Sequence, residues 1–179
     1  MCYDKYDYTM KGVMTMKRLE TESGRNFSYN SDISVLETYY QKQYELIKKG
    51  NTDLATLELV MLGNALDFIN FAKKSLGMNL NSEEKSVEAY EEVMDALCRG
   101  IINKNLYDKE NNIAKKAGAY LGFLIIANIG GEWTDTENGE AVVIKGRTVY
   151  VVDFAQNRLM SGTELDAADY YKKVKTLRD

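Results

Sequence analysis

The sequence predicts an α+β protein, with about four long helices packed with a small C-terminal antiparallel β-sheet and a final short helix. Apolar residues recur at helical spacing through most of the region between residues 32 and 128. Two β-branched runs then flank Lys145-Gly146-Arg147, which is a hairpin signal. No proline occurs in the 179 residues, so glycine and asparagine must end the helices. We expect an irregular segment over residues 1–30 and a single α+β domain over 31–179.

The helix boundaries follow from capping residues and from breaks in the apolar spacing. We predict helices over about 32–49 and 52–76, the second ending at Gly77. The next should start at Asn81 or Ser82, because Asn81 and Glu84 have the spacing of a capping box. It should end near Arg99-Gly100 or a turn later, and a fourth helix should cover about 109–128.

The fourth helix carries a stripe of small residues on one face, at Ala114, Gly118 and Gly122. Such a stripe allows another part of the chain to approach the helix backbone closely. We expect this face to dock onto a sheet covering about 133–154, which begins with an extended segment at Trp133. A last helix is predicted to start near Thr163.

Charge and composition limit the partners and the compartment. The net charge is −4 and the longest basic runs are pairs, so we expect no nucleic-acid partner. The most apolar stretch, about 117–129, is shorter than a bilayer span, and the first residues do not form a secretory signal. Two cysteines make no disulfide framework. We therefore expect a cytoplasmic protein without a membrane partner.

The chain contains no histidine, which removes the commonest general base and most zinc, copper and non-haem iron sites. Phosphate-binding loops, nucleophile elbows and dinucleotide fingerprints are also missing. We expect no cofactor, metal or catalytic residue, and the balance favours a protein that is not an enzyme. We interpret residues 135–140 as a hairpin turn rather than a calcium loop.

An acidic row follows the third predicted helix. We interpret it as the solvated face opposite the apolar seam, against the alternative of a cation or acid–base site. Its members are Glu84, Glu88, Glu91, Glu92 and Asp95.

The C-terminal half carries a glycine and aromatic pattern. It consists of Gly118-Ala119-Tyr120-Leu121-Gly122, Gly130-Gly131-Glu132-Trp133 and Arg158-Leu159-Met160-Ser161-Gly162, with the hairpin between the last two. This pattern resembles that of a family of uncharacterised bacterial proteins, over about residues 80–171. The family has Pro before Phe154 and Lys before Arg158, where this chain has Asp153 and Asn157. The resemblance implies a shared fold and no particular activity.

The candidate ligand site combines Tyr120, Glu132, Trp133 and Arg158. Aromatic rings, two glycines and an arginine would converge where the fourth helix meets the sheet. The alternative is that Trp133 fills the core between helix and hairpin, while the glycines permit close backbone contact.

Three functions stay open at this level. The first is a non-enzymatic interaction protein, an adaptor or an immunity-type protein, whose 13 tyrosines would supply contact area to another protein. The second is a small-molecule binding protein or weak hydrolase with a pocket near Trp133 and with Glu132, Asp153 or Arg158 beside it. The third is a homodimeric structural protein.

Overall fold

The computed structural model describes residues 27–100 and 112–178 of the chain. Within these ranges the chain forms six α-helices and a three-stranded antiparallel sheet near the C-terminus. In chain order they are α1 (Ile33–Lys48), α2 (Leu57–Leu76), α3 (Ser86–Cys98), α4 (Ile113–Asn128), β1 (Glu132–Thr136), β2 (Gly139–Ile144), β3 (Arg147–Val149), α5 (Val151–Ser161) and α6 (Ala167–Lys175). This arrangement confirms the predicted α+β class.

The second and fourth helices form the centre of the molecule. They pack side by side, and both bury residues around most of their circumference. The start of α2 differs from the prediction, because Thr52–Leu54 forms a separate 3₁₀ turn. Thr56 caps α2 instead, its Oγ1 accepting a hydrogen bond from the Leu59 N–H at 3.2 Å. Gly77 ends the helix with a φ of 69°, as its position predicted.

The start of α3 was also predicted too early. The Asn81 Oδ1 accepts hydrogen bonds from the Glu83 N–H at 2.9 Å and from the Ser86 hydroxyl at 2.7 Å. These bonds close a turn of the kind that asparagine side chains favour, and the α-helix begins only after it, at Ser86.

The fourth helix begins at Ile113, where the Asn112 Oδ1 accepts a hydrogen bond from the Lys115 N–H at 3.1 Å. Residues 109–111 of the predicted helix lie outside the described residues. The same holds for residues 1–26 of the irregular segment predicted over 1–30.

The sheet is shorter than predicted. Its order is β1-β2-β3, and Val142 of β2 faces Trp133 on one side and Val149 on the other. The prediction that the sheet continues to Phe154 is wrong, because α5 begins at Val151 and the Tyr150 carbonyl accepts the Phe154 N–H at 3.0 Å. The buried side of α5 repeats at helical spacing, at Val151, Phe154, Ala155, Arg158 and Leu159.

The small-residue face of α4 does receive close neighbours, although one of them is a helix. A Cβ atom at Gly118 would lie 2.5 Å from the Val152 Cα and 2.9 Å from the Val151 carbonyl oxygen, at the start of α5. Gly122 lies directly under the indole ring of Trp133 on β1. The stripe therefore holds both the sheet and α5 against α4.

Candidate functional site

Tyr120 lies in the centre of the core rather than at a surface. Its side chain is fully buried, with the ring stacked 5.7 Å from that of Phe68 and 6.0 Å from that of Phe123. The hydroxyl donates a hydrogen bond to the Asn81 carbonyl at 2.8 Å. Burial raises the pKa of Tyr120 well above its usual value, so the phenol stays neutral. These contacts give Tyr120 a packing role.

Trp133 and Glu132 lie at the start of β1. The Trp133 indole is half-buried on Gly122, and its Nε1 is buried without a hydrogen-bond partner among the described residues. Glu132 is exposed on the strand. Tyr120 and Gly122 are two positions apart in a helix and therefore point to nearly opposite sides. The structure thus does not bring Tyr120 and Trp133 to one cavity.

Arg158 is the largest fully buried side chain among the described residues. Its Nε and Nη2 donate to one carboxylate oxygen of Glu91 at 3.1 and 2.5 Å, and Nη2 also donates to Asp95. Nη1 donates to the Gly162 carbonyl and to the Cys98 sulfur, the latter at 3.2 Å. The Cys98 thiol donates in turn to the Arg158 carbonyl at 3.4 Å. Every donor nitrogen of the guanidinium is therefore satisfied inside the protein.

The charges of this cluster are balanced internally. Burial alone would lower the pKa of Arg158, but the hydrogen bonds that it donates to Glu91 and Asp95 outweigh this effect, so the pKa is raised. The interpretation of the acidic row as a solvated face is consequently wrong for Glu91 and Asp95, although Glu88 and Glu92 are exposed. Arg158 joins α3 to α5 and leaves no donor for a ligand.

Glu91 also fixes the start of α6. While its Oε1 accepts from Arg158, its Oε2 accepts the backbone N–H of Ala167 at 2.8 Å. The first N–H groups of a helix have no partner inside the helix, so a carboxylate there is favourable. The cluster thus sets the position of α6 relative to α3 and α5.

The surface feature with the clearest capacity to bind is a groove between the β3–α5 junction and α6, hereafter the α5–α6 groove. Its volume is about 710 Å³. Its apolar lining includes the rings of Phe154 and Tyr170, which stack with centroids 4.0 Å apart. The remaining lining residues include Thr148, Val149, Tyr150, Asn157, Leu165, Val174 and Leu177.

The lining also contains four carboxylates and one ammonium group, from Asp153, Glu164, Asp166, Asp169 and Lys173. All five residues are exposed. Burial, and then the charge of Asp153, raise the pKa of Tyr170 to about 12. The negative charge of Asp153 therefore disfavours ionisation of Tyr170, whose ring lines the groove.

Nothing in the described residues provides a metal site, since no three Cys, Asp or Glu side chains cluster suitably.

The predicted hairpin turn is confirmed between β1 and β2, where the Thr136 hydroxyl donates to the Gly139 carbonyl at 2.8 Å. In the described parts of the chain, no helix is both long and apolar enough to cross a bilayer. The groove can offer apolar contact and negative charge to a binding partner.

Comparison with known proteins adds no relative: no family model, no curated protein and no solved structure matches this chain. The resemblance to the bacterial family, with its glycine and tryptophan pattern, stays a prediction. The fold and the groove define the protein only as an α+β chain with an acidic, aromatic-floored surface site.

Sequence reasoning did not find the groove. The residues that form it come from the end of β3, from α5, from the α5–α6 connection and from α6, whereas the sequence predicts a sheet to about residue 154 and a last helix only from about Thr163. Phe154, Ala155, Arg158 and Leu159 have helical spacing, and this signal was available. Asp166 before Ala167 was a second signal, because its Oδ1 caps α6 by accepting the Asp169 N–H at 2.8 Å.

Proposed function

We propose that this chain is a non-enzymatic interaction protein that holds a segment of a partner protein in the α5–α6 groove. The observation that carries the proposal is the groove itself, a depression of about 710 Å³ with a stacked aromatic pair in its lining. Aromatic side chains in a surface groove are the usual anchors of protein recognition. An adaptor and an immunity-type protein both act by such docking.

A protein segment suits this groove better than a small molecule. The groove is a surface depression rather than an enclosed cavity, whereas small-molecule sites bury most of their ligand. The predicted pocket residues do not support the small-molecule alternative either, because Tyr120, Glu132, Trp133 and Arg158 do not line the groove. The proposal includes a cytosolic location, which the free thiol of Cys98 supports.

Most of the tyrosines near the start of the described chain pack into the core, and only Tyr39 among them is half-buried. Tyr29, Tyr40 and Tyr44 are buried, so they contribute core packing instead of the contact area that their number suggested. This leaves the groove as the surface on which the proposal depends.

Site-specific photo-crosslinking in the organism that encodes the protein tests the proposal. A photoreactive phenylalanine analogue at Asn157 stands in the groove, and one at Gln156 is the matched control. Both positions are exposed and adjacent on α5, but only Asn157 lines the groove. We expect a discrete crosslinked species of defined mass from position 157 and none from position 156.

The outcomes separate the alternatives. A crosslink to a second protein supports the proposal, and a crosslinked mass of two copies of this chain favours the homodimer instead. Equal products from positions 156 and 157, or no product from position 157 with a folded variant, would overturn the proposal.

A further inference from the structure

We infer that the segment held by the α5–α6 groove is basic, with lysine or arginine side chains next to at least one large apolar side chain. This inference rests on the proposed function and specifies the chemistry of its partner. It is drawn from the charges around the groove and from the composition of its floor.

The charged side chains that line the groove are mostly acidic. Asp153, Glu164, Asp166 and Asp169 contribute carboxylates, and Lys173 is the single cation in the lining. Among the described residues Asp153 and Glu164 form no ion pair within 4 Å. Uncompensated carboxylates of this kind attract cationic groups and repel acidic ones.

The other two carboxylates of the lining, Asp169 and Asp166, have partners inside the protein but can still interact with an incoming cation. Asp169 lies 3.3 Å from the Lys172 ammonium, and both side chains are more than two-thirds exposed. Such an exposed pair is readily replaced by an incoming cation, because it contributes little net free energy. Asp166 keeps its role as helix cap and still presents negative charge.

The floor explains why the partner also needs apolar side chains. Phe154 and Tyr170 stack on each other in the lining, which also includes the half-buried Leu165 and Leu177. An apolar side chain on this floor displaces water, and a neighbouring cation then reaches the carboxylates or the face of an aromatic ring. A lysine or arginine stem covers apolar surface while its charged end stays at the rim.

Fluorescence anisotropy with three labelled peptides tests the inference on the full chain. One short peptide contains leucine, lysine and serine, and its two twins carry glutamine or glutamate at every lysine position. The groove variant is Asp153→Asn with Glu164→Gln. The matched control is Asp135→Asn with Glu137→Gln, which makes the same charge change at exposed positions near the β1–β2 turn.

We expect the lysine peptide to bind about tenfold more tightly than the glutamine twin at low salt, and the glutamate twin to bind least. The groove variant should lose this preference, and the control variant should keep it. Equal binding of lysine and glutamine peptides to the unmodified chain, or equal losses in both variants, would overturn the inference.

Failure of the inference can be told apart from failure of the proposed function. If the glutamine or glutamate peptide binds best and Leu177→Asp abolishes that binding, the groove still holds a partner segment, and only the basic character is wrong. If no peptide binds and the crosslink at position 157 is absent, both are wrong. Thermal unfolding of each variant, followed by circular dichroism, checks that the fold is kept.

Discussion

Arg158 on α5 and Glu91 on α3 form a buried ion pair that joins residues 67 positions apart in the sequence. The arginine side chain is fully buried, and the glutamate side chain is 19% exposed. The same carboxylate holds the Ala167 N–H at the start of α6. Three helices thus meet at one carboxylate, and two of them, α5 and α6, line the α5–α6 groove.

Glu91→Ala should lower the free energy of unfolding by about 3 kcal/mol or more, because it leaves the buried guanidinium with one fewer carboxylate. Glu92→Ala is the matched control, since Glu92 is the exposed neighbour on the same helix and should cost less than about 0.5 kcal/mol. Urea denaturation of both variants measures the difference. Equal costs would show that the ion pair does not stabilise the junction.

Replacing both partners should be less damaging than replacing one. In Glu91→Met with Arg158→Met, neither charge is left buried and the apolar volume is largely kept. We expect the double variant to be more stable than Glu91→Met alone, which a double-mutant cycle of unfolding free energies measures. A double variant that shows the full sum of the single losses would contradict this account.

Gly118→Ala should destabilise the protein by about 1–3 kcal/mol, even though alanine favours a helix interior. The added methyl group would meet the backbone of Val151 and Val152, which cannot move without displacing α5. Gly63→Ala is the comparison, since the three atoms nearest to its methyl group would all belong to the ring end of Tyr40. A side-chain end adjusts more easily, so this variant should lie within about 1 kcal/mol of the unmodified chain.

Thermal or urea unfolding ranks the two glycine variants by their stability. Gly118→Ala should also shift α5, and with it the groove. If Gly63→Ala lowers the stability more than Gly118→Ala does, the close contact between α4 and α5 tolerates a methyl group better than the contact with Tyr40 does, and this account is wrong.

Stability should fall as the pH rises from about 10 to about 12. Burial raises the pKa of both Tyr170 and Tyr171 to about 12, and an unfolded tyrosine titrates near 10. In this window the unfolded chain loses its phenolic protons first, so high pH favours unfolding. The stabilisation is complete below pH 10 and is lost as the pH passes the folded-state pKa.

Urea denaturation across this alkaline range measures the loss of stability. In Tyr170→Phe, the unfolding free energy should fall less steeply as the pH rises. Absorbance of the phenolate near the red edge of the tyrosine band follows the same titration directly. An unchanged pH dependence in Tyr170→Phe would mean that another group causes the loss.

The Cys98 thiol should react slowly with iodoacetamide in the folded protein. Burial raises the pKa of Cys98, and only the thiolate is nucleophilic. In a Cys2→Ser variant, which leaves Cys98 as the one thiol, we expect alkylation about tenfold or more slower than in the urea-unfolded chain. Mass spectrometry of timed samples gives both rates, and equal rates would show that the site opens freely.

Local rules predicted much of the fold. The spacing of apolar residues and the Gly77 stop gave α1 and most of α2. The β-branched runs gave β2 and β3, because strands with a buried face favour such residues. Val151 and Val152 extended this run and predicted a strand, yet packing against Gly118 places them in a helix. Tertiary contact therefore overrode local preference at the β3–α5 junction.

The candidate site was less accessible to sequence reasoning. Arg158 looked like a ligand donor because its carboxylate partner lies far away in sequence, and no spacing rule connects Glu91 to it. The one local hint is that Glu91 and Asp95 are four residues apart, on one side of α3. The groove needed the correct assignment of α5, since α5 supplies Asp153, Phe154 and Asn157.

Tyr150 alone separates β3 from α5, and this short connection makes chain length critical there. A one-residue insertion would rotate α5 by about 100° about its axis. The rotation would carry Arg158 away from Glu91 and Val152 away from Gly118. Insertions and deletions at this point should therefore be far less tolerated than those in the β1–β2 turn, where Glu137 and Asn138 are exposed.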